Sequence, residues 1–322
     1  MICHFYFFRK MPNTVPNGDI PSIVKLAKAN KSQKSKEDLP FSQSNSRAQD
    51  ALLLEPYSHL LTVPGKNIRG KLMAGFNSWL QVPEEKLSVI GEIVQMLHNA
   101  SLLLDDIEDS SILRRGLPVA HLIYGQASTI NCANYVMFIG LEKCQTLGHP
   151  EATKVFTEQM LELHRGQGME IYWRDNFICP SEEEYKIMIT RKTGGLFNLA
   201  VRLMQLFATS SHDFSNFVKL LGLYFQIRDD YENLKSDDYA SNKSFAEDLT
   251  EGKFSFPVLH AVSLECCQVK KFCIGLIEAA GSFQYTKGIL SELESSILKE
   301  IEDIGGNKIL RCVMDELHTW ES

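Results

Sequence analysis

Two carboxylate clusters carry the clearest chemistry in this chain: Asp105-Asp106-Ile107-Glu108-Asp109 and Asp229-Asp230-Tyr231-Glu232-Asn233. In a helix, positions i and i+4 share one face, so Asp105 points with Asp109 and Asp229 with Asn233. Each cluster follows an apolar run, Met96 to Leu104 and Leu220 to Phe225. Carboxylates gathered at the end of a buried run repel one another unless a cation lies among them. Hard oxygen donors suit magnesium, which retains waters and bridges to substrate phosphates. Two such clusters facing one cavity would hold a diphosphate through metal ions. A single acidic run is more often a solvated helix face. The matched pair, with basic residues near each member, favours the chemical reading.

Those basic residues recur near helix breaks. Arg114-Arg115-Gly116 follows the first cluster, and paired guanidinium groups grip phosphates bidentately. The alternative is a cationic helix C-terminus, itself favourable. Pro64-Gly65-Lys66-Asn67-Ile68-Arg69 opens a helix; a glycine turn, a helix start and two cations make an anion site. His98 lies in an apolar stretch, where a satisfied core histidine is the bland reading. Lys192-Thr193-Gly194-Gly195 interrupts another apolar helix, and its glycines, which cost about 1 kcal/mol each against alanine, permit close packing or a kink. Gln226 sits one turn before Asp229. Lys243 and Lys253 follow the second cluster.

The elements that must position these groups are helices. Apolar spacings of three and four predict helices near 50–61, 67–81, 84–109, 128–147, 151–171, 190–209, 214–235, 255–264 and 283–304. Val-Ile-Thr alternation is scarce, so no strand is needed. Pro64-Gly65, Pro83, Gly116-Leu117-Pro118, His149-Pro150 and Pro180 read as breaks. The expected fold is an all-α, single-domain bundle of long antiparallel helices around a central substrate cavity, with ligands bound by facing helices.

At 322 residues and 44 % hydrophobic content, the chain can build a sizeable core. Its net charge of -7 argues against nucleic acid as a partner. Eight cysteines lie in no CxxC or metal-ligand spacing, so a reduced compartment, the cytoplasm, is expected. No apolar run approaches the roughly 18 residues that span a bilayer, and no transmembrane segment is expected. Residues 1–48, rich in Lys, Ser and Asn, are expected as a disordered N-terminal extension before an all-α domain over 49–322. Met11 is an alternative start, and the scarcity of Arg argues against a mitochondrial presequence.

Taken together, Gly65-Lys66-x-x-Arg69, His98-Asn99-Ala100-Ser101, the Asp105 to Asp109 motif with Arg114-Arg115-Gly116, Lys192-Thr193-Gly194-Gly195, Phe225-Gln226-Ile227-Arg228-Asp229-Asp230 and Gly252-Lys253-Phe254-Ser255 resemble the trans-isoprenyl diphosphate synthases. Specifically, the chain resembles the animal-type geranylgeranyl diphosphate synthases, from about Leu52 onward. The resemblance implies the isoprenoid synthase fold and condensation of isopentenyl diphosphate with an allylic diphosphate (dimethylallyl, geranyl or farnesyl). It implies three Mg2+ ions held by Asp105, Asp109 and Asp229. Arg114, Lys192, Lys243 and, near the second acidic site, Lys253 would surround the allylic diphosphate. Lys66, Arg69, His98 and Arg115 would bind isopentenyl diphosphate. Thr193 and Gln226 would face the developing cation, and released diphosphate would take the final proton.

In this family, bulky aromatics four or five residues before the first Asp stop chain growth early. Ala100 and Ser101 are small, which favours the twenty-carbon product, since a packed interior has no spare volume otherwise. A deeper stop is sought at Tyr135, Phe138 or Leu141. Asn233 stands where many relatives carry Asp, and the stretch around Glu265 to Val269 looks shortened. The family forms homodimers, so a homodimer or higher homo-oligomer is expected. The alternatives are a farnesyl or geranyl diphosphate synthase, a terpene cyclase, which would not need Lys66, Arg69 and His98, and a non-catalytic subunit, which would usually lose acidic ligands.

Overall fold

The computed structural model describes residues 39–43, 47–63, 65, 67–209, 212–235, 246–263 and 270–320. Most of the expected N-terminal extension, including Met11, lies outside the described residues, as do Lys66, Lys243 and Glu265 to Val269. In chain order the helices are α1 (Arg47–Leu53), α2 (Glu55–Leu60), α3 (Ile68–Leu80), α4 (Glu84–Glu108), α5 (Ala120–Tyr124), α6 (Gln126–Gln145), α7 (Ala152–Asn176), α8 (Glu182–Gln205), α9 (Ser215–Lys235), α10 (Glu247–Glu251), α11 (Phe256–Ser263), α12 (Lys270–Ala279), α13 (Ser282–Asp303) and α14 (Lys308–Leu317). Between α4 and α5 lie strands β1 (Leu113–Arg114) and β2 (Leu117–Pro118), paired antiparallel with Arg114 opposite Leu117. The all-α class expected from periodicity holds apart from this hairpin.

The described chain divides into two compact units, each with its own core. One comprises the described residues between 39 and 67 and Glu84–Thr153. Here α4 and α6 pack along one another. Ile90, Ile93 and Leu97 from α4, with Cys132, Ala133 and Val136 from α6, are essentially inaccessible. The hairpin turn has positive φ at both central residues, Arg115 (54°) and Gly116 (76°), as the two-residue type I′ turn requires. Residues at the end of the expected extension are tied down: the Ser42 hydroxyl and the Gln43 amide both donate to the Glu142 carboxylate, each at 3.1 Å. By length and composition α4 alone, among the described residues, could cross a membrane, with an 18-residue window of mean hydropathy 1.4. That differs from the reading of the apolar runs, and the cause is burial. Nine of its residues, Asn99 and Asp106 among them, are buried against the rest of this unit.

The other unit comprises Ile68–Pro83 and Lys154–Ser322. Its centre is the packing of α8 on α9 and of α9 on α13. The pattern predicts α8 from 190, but it begins at Glu182. The Ser181 hydroxyl accepts from the Glu184 amide and the Glu184 carboxylate accepts from the Ser181 amide, a capping box legible as Ser-x-x-Glu after Pro180. An aromatic cluster of Phe76, Trp79, Phe214 and Phe217 seats α3, with Trp79 stacked on Phe214 at 5.6 Å. The short helices α5, α10, α12 and α14 were not anticipated. Of these α14 has a clear local cause: the buried Asn307 side chain accepts from the amides of Ile309 and Leu310, both at 3.1 Å, and its own amide donates to the Gly75 carbonyl at 2.7 Å. Asn307→Ala removes the cap and the tie to α3 together. A loss of about 1–2 kcal/mol is expected, measured as a lowered denaturation midpoint with an unchanged m-value.

Candidate active site

The unit built on α4 gathers Asp105, Asp106, Asp109, Arg114 and Arg115. The two members of the Asp105-Asp106 pair sit in different environments. Asp106 is 2 % exposed and receives the Arg114 guanidinium at 2.7 Å, whereas the Asp105 side chain stays a quarter exposed and meets the same guanidinium at 3.4 Å. Arg114 is therefore held by one buried carboxylate and shared with a more accessible one. The chain turns immediately after Asp109, where the Ser111 amide donates back to the Asp106 carbonyl at 2.9 Å. β1 then carries Arg114 back onto the cluster.

Arg115 takes a different direction. Its guanidinium donates to the Val63 carbonyl at 2.7 Å, and a Cβ on Gly65 would lie 3.0 Å from that guanidinium. The glycine of the Gly65-Lys66-x-x-Arg69 motif thus makes room for Arg115. Burial and the neighbouring Arg114 lower the Arg115 pKa, while Asp106 raises it. A small pocket beside the hairpin is lined by His59, Val63, Asp106, Arg114, Arg115 and Pro118. His98 sits two turns before Asp105 on α4, half-buried. Ala100 is buried, and the Ser101 hydroxyl donates to the His98 carbonyl at 2.8 Å. The three residues considered as a deeper stop on α6 lie in different surroundings. Phe138 is 69 % exposed, and Tyr135 bonds to Asp50, its pKa pushed up to about 12 by burial and by that carboxylate. Leu141 is half-buried.

The unit built on α8 and α9 gathers Thr193, Gln226, Asp229 and Asp230. Again the second Asp is buried and the first is not. Asp230 accepts from the Tyr185 hydroxyl, from the Gln226 amide at 2.9 Å and from the Phe256 backbone amide at 2.7 Å. Gln226 in turn accepts the Thr193 hydroxyl on its oxygen at 2.7 Å. Thr193, Gln226 and Asp230 thus form one oriented hydrogen-bond chain, with each donor proton assigned by its partner. Lys192 pairs at 2.5 Å with Glu170 of α7, both mostly buried. Lys253, just beyond α10, pairs at 2.9 Å with Glu251, the last residue of that helix. Asn233 is buried, and its oxygen accepts from the Asp248 amide at 3.3 Å; the amide at this position anchors α10. Arg69 lies in the first turn of α3, half-buried.

The helices bearing these groups meet at glycines. A Cβ on Gly222 would lie 2.9 Å from the Gly194 Cα, and one on Gly166 would lie 2.5 Å from the Lys192 nitrogen. The Gly194-Gly195 pair therefore serves close packing within a continuous α8. Sequence reasoning missed Glu170 and Tyr185. Neither carries a local signal, because their partners come from other helices.

Burial raises the Asp230 pKa to about 6, against the pull of its three donors, and Asp229 pushes it the same way. The folded value lies above the unfolded one, near 3.9. The stabilising contribution is therefore full below about pH 4 and is lost as pH rises through about 6. Thermal melts of magnesium-free protein between pH 4 and 7 are expected to show this downward slope, and Asp230→Asn is expected to flatten it.

Among the described residues, no group of three His, Cys, Asp or Glu side chains is close enough to hold a metal by itself. Each cluster offers only oxygen donors. That donor set fits a hard ion whose remaining ligands are waters and substrate oxygens.

Residues 50–282 match the family described as polyprenyl synthetase. The chain is 55 % identical to a terpene synthase from Matsumurasca onukii, over 86 % of this chain and 97 % of that protein. It is 48 % identical to a geranylgeranyl pyrophosphate synthase from Mucor circinelloides f. lusitanicus, over 85 % and 96 %. It is 50 % identical to another from Macrophomina phaseolina, over 82 % and 86 %. With its two acidic clusters, its basic companions and a match across most of its length, the chain belongs to the polyprenyl synthetase family.

Proposed function

We propose that the chain is a Mg2+-dependent geranylgeranyl diphosphate synthase, extending allylic diphosphates with isopentenyl diphosphate. The observation that carries this reading is the likeness, at about half identity over most of the chain, to several geranylgeranyl pyrophosphate synthases. The paired carboxylate chemistry supports it. Asp105, Asp109 and Asp229 would hold three magnesium ions. Bound magnesium would supply Lewis-acid neutralisation of a leaving diphosphate and a template for it. Arg114, Lys192, Lys243 and Lys253 would add positive charge around the allylic diphosphate. Because Arg114 and Lys192 are paired with carboxylates, substrate diphosphate would compete for, or share, those partners.

Lys66, Arg69, His98 and Arg115 would hold the diphosphate of isopentenyl diphosphate. As the allylic C–O bond breaks, its electron pair leaves with diphosphate. The isopentenyl double bond then attacks the cation, and diphosphate accepts the proton released. The Gln226 oxygen and the Thr193 hydroxyl, aligned by their mutual hydrogen bond, would present lone pairs to the cation. A cytoplasmic setting agrees with four unpaired cysteines among the described residues, and a homodimer or larger homo-oligomer with the family.

The test is a product assay with magnesium, labelled isopentenyl diphosphate and each allylic primer in turn. Geranylgeraniol after dephosphorylation is the expected main product. Farnesol alone would overturn the chain-length reading. Ala100→Phe, which fills a fully buried position, is expected to shift the product from C20 to C15 in the same assay.

The Matsumurasca onukii relative named terpene synthase favours a second reading, ionisation of an allylic diphosphate without chain extension. Incubation with geranyl or farnesyl diphosphate alone separates the two. A hydrocarbon or alcohol product formed without isopentenyl diphosphate would support the second reading, and Lys66, Arg69 and His98, which a cyclase would not need, argue for the first.

A further inference from the structure

Helix α9 carries its functional groups on one side and a dense set of ties on the other. At 100° per residue, Tyr224, Arg228 and Glu232 form one stripe, while Gln226, Asp230 and Asn233 lie around the far side and Asp229 on the flank between them, about 100° from Arg228. The stripe is held by the segment that follows α14. The Arg228 guanidinium donates to the Leu317 carbonyl at 2.8 Å and to the Thr319 hydroxyl at 2.6 Å. The Thr319 hydroxyl donates to Glu232 at 2.6 Å. The Trp320 indole, 3 % exposed, donates to the Tyr224 hydroxyl at 2.9 Å. His318 contacts Glu294 of α13 at 2.8 Å and packs on Trp320, ring centres 4.9 Å apart. Three successive turns of α9 are thus tied to three of these four consecutive residues, and the fourth, His318, ties the segment to α13.

We infer that Leu317 to Trp320 is a strap that sets the rotation of α9 about its axis, and that Arg228 and Thr319 are positioning residues for Asp229 and Gln226. This inference rests on the proposed function for what Asp229 does. Side-chain tips lie about 5–6 Å from a helix axis, so a roll of about 10° moves them about 1 Å. A displacement of about 1 Å can cost a reaction on the order of a hundredfold. On the face toward α8, where Gly222 packs closely on Gly194, α9 is tied by the Thr193–Gln226 and Tyr185–Asp230 bonds. The polar ties of the strap hold the opposite face, so a roll has to break bonds on both.

The test uses the full chain carrying Arg228→Lys, which keeps the charge but loses the two-pronged grip, and Thr319→Val, which keeps the shape but loses the hydroxyl. Three quantities are read: amide exchange of peptides covering 224–235 without substrate or metal, the Mg2+ concentration for half-maximal rate, and the KM for isopentenyl diphosphate. Exchange is expected to rise about threefold to tenfold, as loss of one or two hydrogen bonds allows, and the half-maximal Mg2+ concentration by a similar factor. The KM for isopentenyl diphosphate and the product length should not move. Unchanged exchange overturns the strap. Faster exchange or a lower Tm with an unchanged Mg2+ dependence overturns the positioning role, leaving stability alone. If the unaltered protein forms no prenyl product, the proposed function fails, while the exchange comparison still decides the strap.

Discussion

Asp105→Asn and Asp229→Asn are each expected to lower kcat by at least about 10²–10³-fold, the scale set by removing one stabiliser of developing charge, with little change in Tm. Both side chains remain partly exposed, and Arg114 keeps its closer partner Asp106 when Asp105 loses its charge. Asp106→Asn should behave in the opposite sense. It leaves the Arg114 guanidinium, only 12 % exposed, without its main counter-charge. Breaking a buried pair costs up to about 3–5 kcal/mol, reduced here by the residual contact with Asp105. Steady-state kinetics with saturating magnesium, run beside thermal melts on all three variants, give the comparison. If Asp105→Asn lost stability instead of rate, the division of labour within the pair would be wrong.

Gly166→Ala and Gly222→Ala should be the most damaging small substitutions in the chain. Each new methyl would meet backbone, the Lys192 nitrogen at 2.5 Å or the Gly194 Cα at 2.9 Å, and backbone cannot swing aside as a side chain can. Overpacking of this kind costs about 1–3 kcal/mol, occasionally more, which at this size lowers Tm by roughly 2–10 °C. Gly166→Ala should also reduce activity beyond its effect on stability, because it displaces Lys192. The control is Gly168→Ala on the same helix. Nothing lies within 4 Å of its Cβ position, so the gain in helix propensity, about 1 kcal/mol, should leave Tm unchanged or raised. A fall in Tm for Gly168→Ala equal to that for Gly166→Ala would show that glycine itself, and not close approach, is what these positions require.

Helix identity was legible wherever the apolar period ran long. α3, α4, α9 and α13 agree with the expected spans to within one or two residues. Boundaries failed where a cap outranked the period, as at Ser181. They also failed where a helix was too short to show one, as in α5 and α10. The hairpin was invisible because Arg115 occupies a positive-φ position that usually signals itself with Asn or Gly; its guanidinium bond to Val63 helps hold it there. Of the candidate residues, Thr193 and Gln226 proved to be direct partners. Lys192 and Lys253 proved to be paired with Glu170 and Glu251, which no spacing in the sequence announces.

The sequence by itself determined the all-helical class and the two carboxylate clusters, because 3.6-residue periodicity and i, i+4 placement are local properties of the chain. It also led to the proposal of hard-ion, diphosphate chemistry for those clusters. Only the tertiary structure decided which aspartate of each pair is buried and which is left to work. Asp106 and Asp230 are buried because Arg114 folds back from a hairpin onto one, and Tyr185 and the Phe256 amide arrive from other helices to meet the other. Tyr185 and Phe256 are distant from Asp230 in sequence, and Arg114, eight residues after Asp106, reaches it only because the hairpin turns back. Burial, desolvation and pairing are set by whatever the fold brings alongside, and one-dimensional spacing cannot express that.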